Sequence, residues 1–315
     1  MILAVCLNLA LDLTYRVAEL RPHETNRVAD VASRAGGKAV NVARVLHALG
    51  HQVVVTGFTG GRVGDAVREE LRAAGLADAT LPITSETRRT VTVREDSGGE
   101  PTGISEPGPR IAAAEWSAFL DAFRGLAGGA AAVVLSGSLP PGLREDAYAT
   151  LVAISAEAGV PALLDAEGGA LRQGLPSGPA IVKPNRRELA GLAPGDDVVA
   201  GAQRLRAAGA GAVVVSLGER GLVAVTGDGV LSAAPPERVG AGNPIGAGDA
   251  AAAALVAGLV AGTPWPERLA DAAALSAAAV HAPVAGSFDA EAYARYRERV
   301  VVVEAARHGG PPGDP

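Results

Sequence analysis

Short apolar runs that alternate with helical patterns constrain the fold of this chain more than any other feature. Six runs have the length and composition of buried strands: "ILAVCL", "QVVVTGF", "AAVVLSG", "PALLDA", "AIVKP" and "AVVVSLG". Segments with apolar residues at helical spacing, such as "KAVNVARVLHAL" and "EDAYATLVAISAEAG", lie between some of them. Because strands that alternate with helices form parallel sheets covered on both faces, we predict an α/β fold with a doubly wound, mostly parallel sheet flanked by helices.

Two segments break this alternation. Residues 11–34 contain "LTYRVAEL" and "NRVADVASR", and residues 87–108 contain "TRRTVTVRED" and "EPTGISEPGP". Their partial period-two alternation predicts two hairpins that pair as a small sheet over the carboxyl ends of the core strands, where open α/β sheets bind ligands. We therefore predict an α/β core from residues 1–10, 35–86 and 109–305, a discontinuous β-lid from 11–34 and 87–108, and a disordered tail at 306–315.

The composition restricts the compartment and the partners. With 315 residues, 48% hydrophobic and 20% charged, the chain is expected to form one large domain or one domain with a small appendage. A net charge of −6 argues against a nucleic-acid or anionic-membrane partner. The single cysteine, Cys6, fits a reducing compartment. The longest apolar run, 250–262, is too short to cross a bilayer, and "MILAVCLNLALDL" predicts a strand rather than a signal peptide, so we expect a cytoplasmic protein.

Lysine and asparagine are rare in this chain. Of 28 basic residues only Lys38 and Lys183 are lysines. A chain that uses arginine for generic positive charge keeps lysine where its particular geometry matters. The asparagines are Asn8, Asn26, Asn41, Asn185 and Asn243. All of these residues lie in or beside the motifs that follow, with chance placement as the alternative.

The segment "GNPIGAGDA", residues 242–250, places three glycines and one carboxylate at the start of an alanine-rich helix. Glycine-rich stretches here and around Lys38 match neither the P-loop nor the dinucleotide fingerprint. Because the first N–H groups of a helix have no intrahelical acceptor, Gly246, Ala247 and Gly248 can form an anion hole. Asp249 in the first turn can then accept a proton from an attacking hydroxyl. The alternative is an aspartate that only caps the helix.

Two further segments follow buried strands with polar residues. In "VKPNRREL", Asn185 and Glu188 are three residues apart at a predicted helix start, where they share a face. Such oxygen ligands suit Mg²⁺, which keeps several waters and bridges phosphates, and helix capping is the alternative. In "VVVSLGERG", Ser216, Gly218 and Gly221 indicate either a nucleotide-binding turn or a simple hairpin into "LVAVTG".

Three further motifs place polar residues at strand ends or at a helix start. "NLALD" is interpreted as ending the first strand with Asp12, and a carboxylate at a strand end suits bonding to sugar hydroxyls. "GGKAVN" places Gly37, Lys38 and Asn41 at a helix start, which predicts a second polar or anion site. "SGSLPPG" ends another strand with small polar residues, including Ser138.

Arginines on the predicted hairpins are candidates for binding a phosphate carried by the substrate. Arg27, Arg88 and Arg89 can supply charge-assisted hydrogen bonds, while a solvated surface is the alternative, and the favoured one for Arg89. The five histidines, by contrast, show no metal-ligand spacing.

Taken together, these motifs resemble those of the ribokinase-like, PfkB-type sugar kinases, in the branch of bacterial 1-phosphofructokinase and tagatose-6-phosphate kinase. The resemblance covers nearly the whole chain except the tail. The matching pieces, in family order, are "NLALD", "ETNRV", "GGKAVNVARVL", "ETRRT", "EPGP", "SGSLPPG", "VKPNRREL", "VSLGERG" and "NPIGAGDA".

The resemblance implies ATP and Mg²⁺ as cofactors, a monovalent cation as a further candidate, and a homodimer that pairs through the β-lid. It implies that Asp249 is the catalytic base beside an anion hole. The remaining implied roles are the anion hole, Gly246, Ala247 and Gly248; sugar and sugar-phosphate binding, Asp12, Gly37, Lys38, Asn41, Ser138, Arg88 and Arg27; ATP binding, Lys183, Asn185, Ser216, Gly218, Gly221 and Asn243; and Mg²⁺, Asn185 and Glu188 through water.

The chain departs from the family pattern at two places, and these leave alternatives open. Ala39 stands where the family has glycine, and Ala241-Gly242 replaces a β-branched pair. We expect a kinase of fructose 1-phosphate first and of tagatose 6-phosphate second. The alternatives are a kinase of an unphosphorylated sugar or nucleoside, a dinucleotide-dependent oxidoreductase, which the missing fingerprint disfavours, and a catalytically silent sugar-phosphate sensor.

Overall fold

The computed structural model describes residues 1–98, 101–195, 197–237 and 243–305. The strands are β1 Ile2–Cys6, β2 Ala10–Val17, β3 Asp30–Gly36, β4 Val53–Gly60, β5 Ala77–Asp78, β6 Leu81–Ile83, β7 Arg88–Glu95, β8 Thr102–Ser105, β9 Ala132–Ser136, β10 Ala162–Asp165, β11 Ile181–Val182, β12 Ala212–Ser216, β13 Leu222–Val225, β14 Val230–Ala233 and β15 Val302–Ala305. The α-helices are α1 Lys38–Ala48, α2 Gly61–Ala73, α3 Ala113–Ala127, α4 Ala147–Glu157, α5 Gly168–Gly174, α6 Arg186–Leu192, α7 Val198–Ala207, α8 Ala247–Val260, α9 Trp265–Val280 and α10 Ala290–Arg297. Short 3₁₀ turns span Leu175–Ser177 and Gly218–Arg220.

The large sheet has the order β15-β14-β13-β12-β11-β10-β9-β1-β4-β5, and β6 also pairs with β4. From β5 across to β12 every neighbouring pair is parallel, and the β12–β15 end is antiparallel. The predicted mostly parallel, doubly wound α/β fold is therefore confirmed. Parallel pairing brings the carboxyl ends of β9, β10 and β11 to one edge of the sheet.

Helices cover both faces of this sheet, as the apolar strands require. Along β1, Ile2, Ala4 and Cys6 belong to the apolar cluster that includes α1, α8 and α9. The alternate residues Leu3 and Val5 belong to the cluster that includes α3, α4 and α7. Helix α8 packs closely because its alanines are buried without exception from Ala250 to Ala254. This close packing fixes the position of the helix start that follows "GNPI".

A separate four-stranded sheet, the lid sheet, has the order β3-β2-β7-β8. Strands β2 and β3 are antiparallel, β7 and β8 are antiparallel, and β2 and β7 are joined in parallel. Asp12 lies inside β2 of the lid sheet, so the interpretation that it ends the first strand is wrong. The chain leaves β1 at Cys6 and passes through a turn before it enters the second sheet.

Within the described ranges, no helix is long and apolar enough to cross a membrane. The tail predicted to be disordered, 306–315, lies outside the described residues, as do Ala241 and Gly242.

Candidate active site

Four charged side chains meet at the carboxyl ends of the parallel strands. Asp165 is the last residue of β10, and its Oδ2 lies 3.1 Å from Nζ of Lys183. Both residues are buried, with 2% and 4% of their surface exposed. Lys38, the first residue of α1, has its Nζ 3.8 Å from Oδ1 of Asp165 and 3.9 Å from Oε1 of Glu188. We call Lys38, Asp165, Lys183 and Glu188 the strand-end cluster.

Asp249 is the third residue of α8 and does not cap it. The N-cap is Gly246, whose φ of 90° suits glycine, and no side chain caps this helix start. Asp249 is only 7% exposed, and its Oδ2 accepts a hydrogen bond of 2.8 Å from Nδ2 of Asn41. The capping alternative for this aspartate therefore does not fit the geometry.

Burial, and after it the negative charge of Asp165, raise the pKa of Asp249 to about 7. The hydrogen bond from Asn41 and the charges of Lys183 and Lys38 act in the opposite direction. A carboxylate with a pKa near neutrality is matched to the work of a general base. The strand-end cluster and Asp249 thus form one electrostatic unit.

The predicted anion hole is open only in part. The N–H of Ala247 donates to the carbonyl of Pro244 at 3.2 Å. Among the described residues, the N–H of Gly248 has no backbone acceptor. A Cβ placed on Gly248 would lie 3.4 Å from Nζ of Lys183, so the bare backbone at this position and a buried ammonium are close together. The N–H of Gly248 is therefore available to donate a hydrogen bond to an anion.

Asn185 and Glu188 form a capping box at the start of α6. The N–H of Glu188 donates to Oδ1 of Asn185 at 2.8 Å, and the N–H of Asn185 donates to Oε2 of Glu188 at 2.9 Å. The capping alternative named from the sequence is thus present in the structure. Oε1 of Glu188 still faces Lys38, so capping and membership of the strand-end cluster coexist.

Four of the residues predicted to bind ATP lie on two neighbouring turns. Ser216 ends β12 and forms a bridge with Asn185. Gly218 begins a 3₁₀ turn and Gly221 follows it as the C-cap. Since β12 and β13 then pair in an antiparallel ladder, the hairpin alternative describes the backbone of this segment.

A cavity lies between the lid sheet and the core. Asp12 and Asn41, both predicted to bind sugar, are on its wall. Asn243, predicted to bind the cofactor, lines this same cavity. We call it the lid pocket, and its lining residues are Asp12, Thr14, Ala32, Arg34, Ala35, Asn41, Thr92, Arg94, Pro101, Asn243, Ile245, Pro283, Val284 and Ala285.

Glycines shape the approach to the lid pocket. Gly37 is the N-cap of α1 with a φ of 113°, and Lys38 follows it. A side chain on Gly36 would overlap the carboxylate of Asp12. Burial raises the pKa of Asp12 to about 6, while the charge of Arg88 lowers it. Gly36 thus lets the half-buried carboxylate of Asp12 lie directly against the backbone that leads into α1.

The structure does not bring all predicted sugar-phosphate residues together. Arg27 is exposed on the loop between β2 and β3, beyond the Arg16–Asp30 pair at the far end of the hairpin. Arg88 lies on β7, and its Nε and Nη1 donate to the carbonyls of Asn8 and Glu106 at 3.1 and 3.2 Å.

Ser138 is also away from the lid pocket. Its Oγ accepts a hydrogen bond of 3.0 Å from Nδ2 of Asn8. This contact ties the segment after β9 to the segment after β1.

The comparison with known families decides the class of protein. A sequence model described as pfkB family carbohydrate kinase matches residues 1–291. The chain belongs to this family. It is accordingly an ATP-dependent sugar kinase, and the resemblance found in its motifs is confirmed.

Solved structures of similar PfkB-type kinases cover nearly the whole chain. Phosphofructokinase-2 from Escherichia coli in complex with potassium is 26% identical, with a TM-score of 0.89 over 94% of this chain and 98% of that chain. The same enzyme in complex with fructose-6-phosphate is 26% identical, with a TM-score of 0.87 and the same coverage, 94% and 98%. A protein described as a possible 1-phosphofructokinase from Thermotoga maritima is 26% identical, with a TM-score of 0.88 over 96% and 99% of the two chains.

Sequence reasoning missed Asp165 in this kinase. The residue ends the run "PALLDA", and a carboxylate at the end of a predicted parallel strand was an available signal. Its Oδ1 is buried without a hydrogen-bond partner among the described residues. Asp165 therefore belongs with the candidate site residues, between two lysines that sequence reasoning did identify.

Proposed function

We propose that this kinase transfers a phosphoryl group from ATP to a hydroxymethyl group of a ketohexose phosphate, with fructose 1-phosphate as first substrate and tagatose 6-phosphate as second. The observation that carries the proposal is the contact between buried Asp249 and Asn41 on the wall of the lid pocket. A sugar kinase needs a base beside the sugar hydroxyl, and this contact joins the base to the pocket.

In the proposed mechanism, Asp249 accepts the proton of the attacking hydroxyl. Its pKa of about 7 supports this role, because the carboxylate is then both available and basic near neutral pH. Asn41 holds one carboxylate oxygen and leaves the other for the hydroxyl. The amide of Gly248 and the ammonium of Lys183 would stabilise the negative charge of the transferred phosphoryl group.

Magnesium, which the kinase family implies, fits the strand-end cluster. Oδ1 of Asp165 is buried and has no hydrogen-bond partner in the described part of the chain. Glu188 lies on the other side of Lys38, with Asn185 at the same helix start. Oxygen ligands with bound water are what Mg²⁺ prefers, so we assign Asp165, Glu188 and Asn185 to the ion. When bound, it would neutralise charge on the phosphates of ATP.

A monovalent cation is a further candidate cofactor. Phosphofructokinase-2 from Escherichia coli, a similar enzyme, was solved in complex with potassium. Activity of this kinase in potassium chloride compared with tetramethylammonium chloride tests the proposal, and equal rates would contradict it.

The outer face of the lid sheet supports a homodimer. Alternation along the strands puts Leu13 and Tyr15 of β2 on the face opposite Asp12 and Thr14. On neighbouring strands Val31 is 56% exposed and Ile104 is 62% exposed. Apolar side chains gathered on one face of a small sheet mark an interaction surface. We propose that a second copy of the chain covers it, and light scattering of Ile104→Glu, expected to be a monomer, tests this.

Turnover against a panel of acceptors tests the proposed function. Purified kinase with MgATP is offered fructose 1-phosphate, tagatose 6-phosphate, fructose 6-phosphate, free fructose and adenosine, and ADP release is measured. The expected result is the highest kcat/KM with a ketohexose phosphate. A preference for free fructose or adenosine would establish the alternative substrate class. Binding of a sugar phosphate without ADP release would establish the alternative of a catalytically silent sugar-phosphate sensor.

A further inference from the structure

Two arginines of the lid sheet line the lid pocket on the same face as Asp12. In the sheet register Asp12 pairs with Arg34 of β3, and Arg16 pairs with Arg94 of β7. Arg94 is four residues beyond Thr90, which pairs with Asp12, and even spacing keeps it on the same face. Both arginines border the pocket in the folded chain.

Each guanidinium is held by one backbone carbonyl of the core. Nη1 of Arg94 donates to the carbonyl of Pro283 at 2.8 Å, and Nη1 of Arg34 donates to the carbonyl of Ala285 at 3.4 Å. These carbonyls belong to a single loop between α9 and α10 and are two residues apart. Because a guanidinium has five N–H donors, the contacts of the described residues leave most donors of each arginine available to a ligand.

Neither arginine of this pair forms a direct ion pair within the described residues, where no carboxylate oxygen lies within 4.0 Å of either guanidinium. Burial lowers the pKa of Arg34 and the positive charge of Arg44 lowers it further, while the carboxylates of Glu70 and Asp12 act in the opposite direction. Asp12 thus compensates part of the positive charge of this pocket without direct contact.

The pair belongs to the sugar side of the site. The lining of the lid pocket includes Asp12 and Asn41 and contains no member of the strand-end cluster. Asn41, on the wall of this pocket, donates to Asp249, the proposed base for the sugar hydroxyl. An anion bound by Arg34 and Arg94 is therefore a part of the acceptor molecule and not a phosphate of ATP.

We infer that Arg34 and Arg94 bind the phosphate group of the sugar substrate and so determine the choice between a sugar phosphate and a free sugar. The inference rests on the proposed function, since it names residues that would select its substrate class. It adds two residues to the assignment of the phosphate to Arg88, which uses Nε and Nη1 for two carbonyls where Arg34 and Arg94 each use one nitrogen. Guanidinium groups with further donors match the geometry of a phosphate.

Kinetics of Arg34→Gln and Arg94→Gln test the inference. The control is Arg124→Gln on α3, which removes the same charge from an exposed pair with Asp121. Each test variant should raise KM for the sugar phosphate roughly ten- to a hundredfold and leave KM for ATP unchanged. The rate with the unphosphorylated sugar should not change, and Arg34→Lys should recover part of the loss. Thermal unfolding establishes that each variant is folded.

An equal loss with phosphorylated and free sugars would overturn the inference, because the arginines would then only fasten the lid to the Pro283–Ala285 loop. A rise confined to KM for ATP would overturn it as well.

A binding experiment with inorganic phosphate keeps the inference testable if the wild-type kinase uses free sugars only. In that case the proposed substrate class is wrong, but the phosphate site can still be measured. The nucleotide site is first saturated with a non-hydrolysable ATP analogue, so that added phosphate cannot bind there. Calorimetry should then detect phosphate binding in the wild type and not in Arg34→Gln. No binding in the wild type would overturn the inference.

Discussion

The strand-end cluster and the lid pocket handle charge in opposite ways. In the cluster, Asp165 and Lys183 are buried and form a direct ion pair at 3.1 Å. In the lid pocket, Arg34 and Arg94 lie against backbone carbonyls with no carboxylate within 4.0 Å among the described residues. We propose on this basis that the core supplies the groups for phosphoryl transfer, whereas the lid pocket supplies positive charge that binds the substrate.

The largest expected effect is a loss of kcat when the proposed base, Asp249, is replaced. Asp249→Asn keeps the size of the side chain and should lower kcat by about 10²–10⁴, because a general base is lost. KM for both substrates should change little, since the lost interaction belongs mainly to the transition state. Steady-state kinetics with parallel denaturant unfolding measures both quantities. A folded variant with nearly normal kcat would show that Asp249 is not the base.

The second prediction concerns the stability lost when the buried Asp165–Lys183 ion pair is broken. Asp165→Asn leaves the ammonium of Lys183 buried without its counter-ion, and we expect the free energy of unfolding to fall by about 3 kcal/mol. The control is Asp121→Asn, which breaks the exposed pair with Arg124 and should cost no more than about 0.5 kcal/mol. Urea unfolding compares the two. Equal losses in the two variants would mean that burial does not distinguish these ion pairs.

The pH dependence of activity follows from the raised pKa of Asp249. Below a pKa of about 7 the carboxylate binds a proton and cannot act as a base. The kcat/KM of the wild type should therefore rise with pH and level off above about 7, with a roughly tenfold loss for each unit below it. A rate that stays constant from pH 5.5 to 8 would contradict this assignment.

The same raised pKa makes a prediction for stability. Between pH 4 and 7 the folded state holds a proton on Asp249 that the unfolded state has released, so this group makes folding less favourable as pH rises. Asp249→Asn should accordingly lose less stability than the wild type over that interval. Urea midpoints at several pH values measure the difference, and parallel curves for the two proteins would rule it out.

The smallest expected effect is a change in the magnesium requirement of Glu188→Gln, which distinguishes metal binding by Glu188 from helix capping. Glu188→Gln keeps the capping box, because glutamine can accept from the N-cap amide, but it removes the charge near Lys38. It should raise the Mg²⁺ concentration that gives half-maximal rate and leave stability nearly unchanged. Glu115→Gln is the control, since Glu115 accepts from the amide of Ala112 in the same way at the start of α3. Matching magnesium titrations for both variants would leave Glu188 with capping alone.

The sequence predicted the core better than the lid because local patterns determine more of the core. Apolar runs and helical spacing were enough for the parallel sheet, and "GNPIGAGDA" was enough to put Asp249 in a first helical turn. Asp165 escaped notice because its importance depends on the neighbours of β10, and strand order is not visible in a local pattern. Asp12 was misplaced because an apolar run continues past the end of β1.

Lid residues were harder to judge for a further reason. Arg34 and Arg94 carry no motif, and they share a face only through the register of β2 with β3 and β7. Arg27, grouped with Arg88 from the hairpin patterns, lies at the exposed end of the β2–β3 hairpin, and its role in phosphate binding stays a prediction. A one-residue slip in the pairing would turn each of these side chains to the other face of the sheet.

The exposure of the lid sheet has a consequence for how the molecule opens locally. Strand β8 is exposed throughout and the first four residues of β3 are exposed, whereas β1 and β9 are buried along their whole length. Strands with few buried contacts open at a lower free energy than strands in a core. The amides of the lid sheet should therefore exchange with solvent sooner than those of β1 and β9.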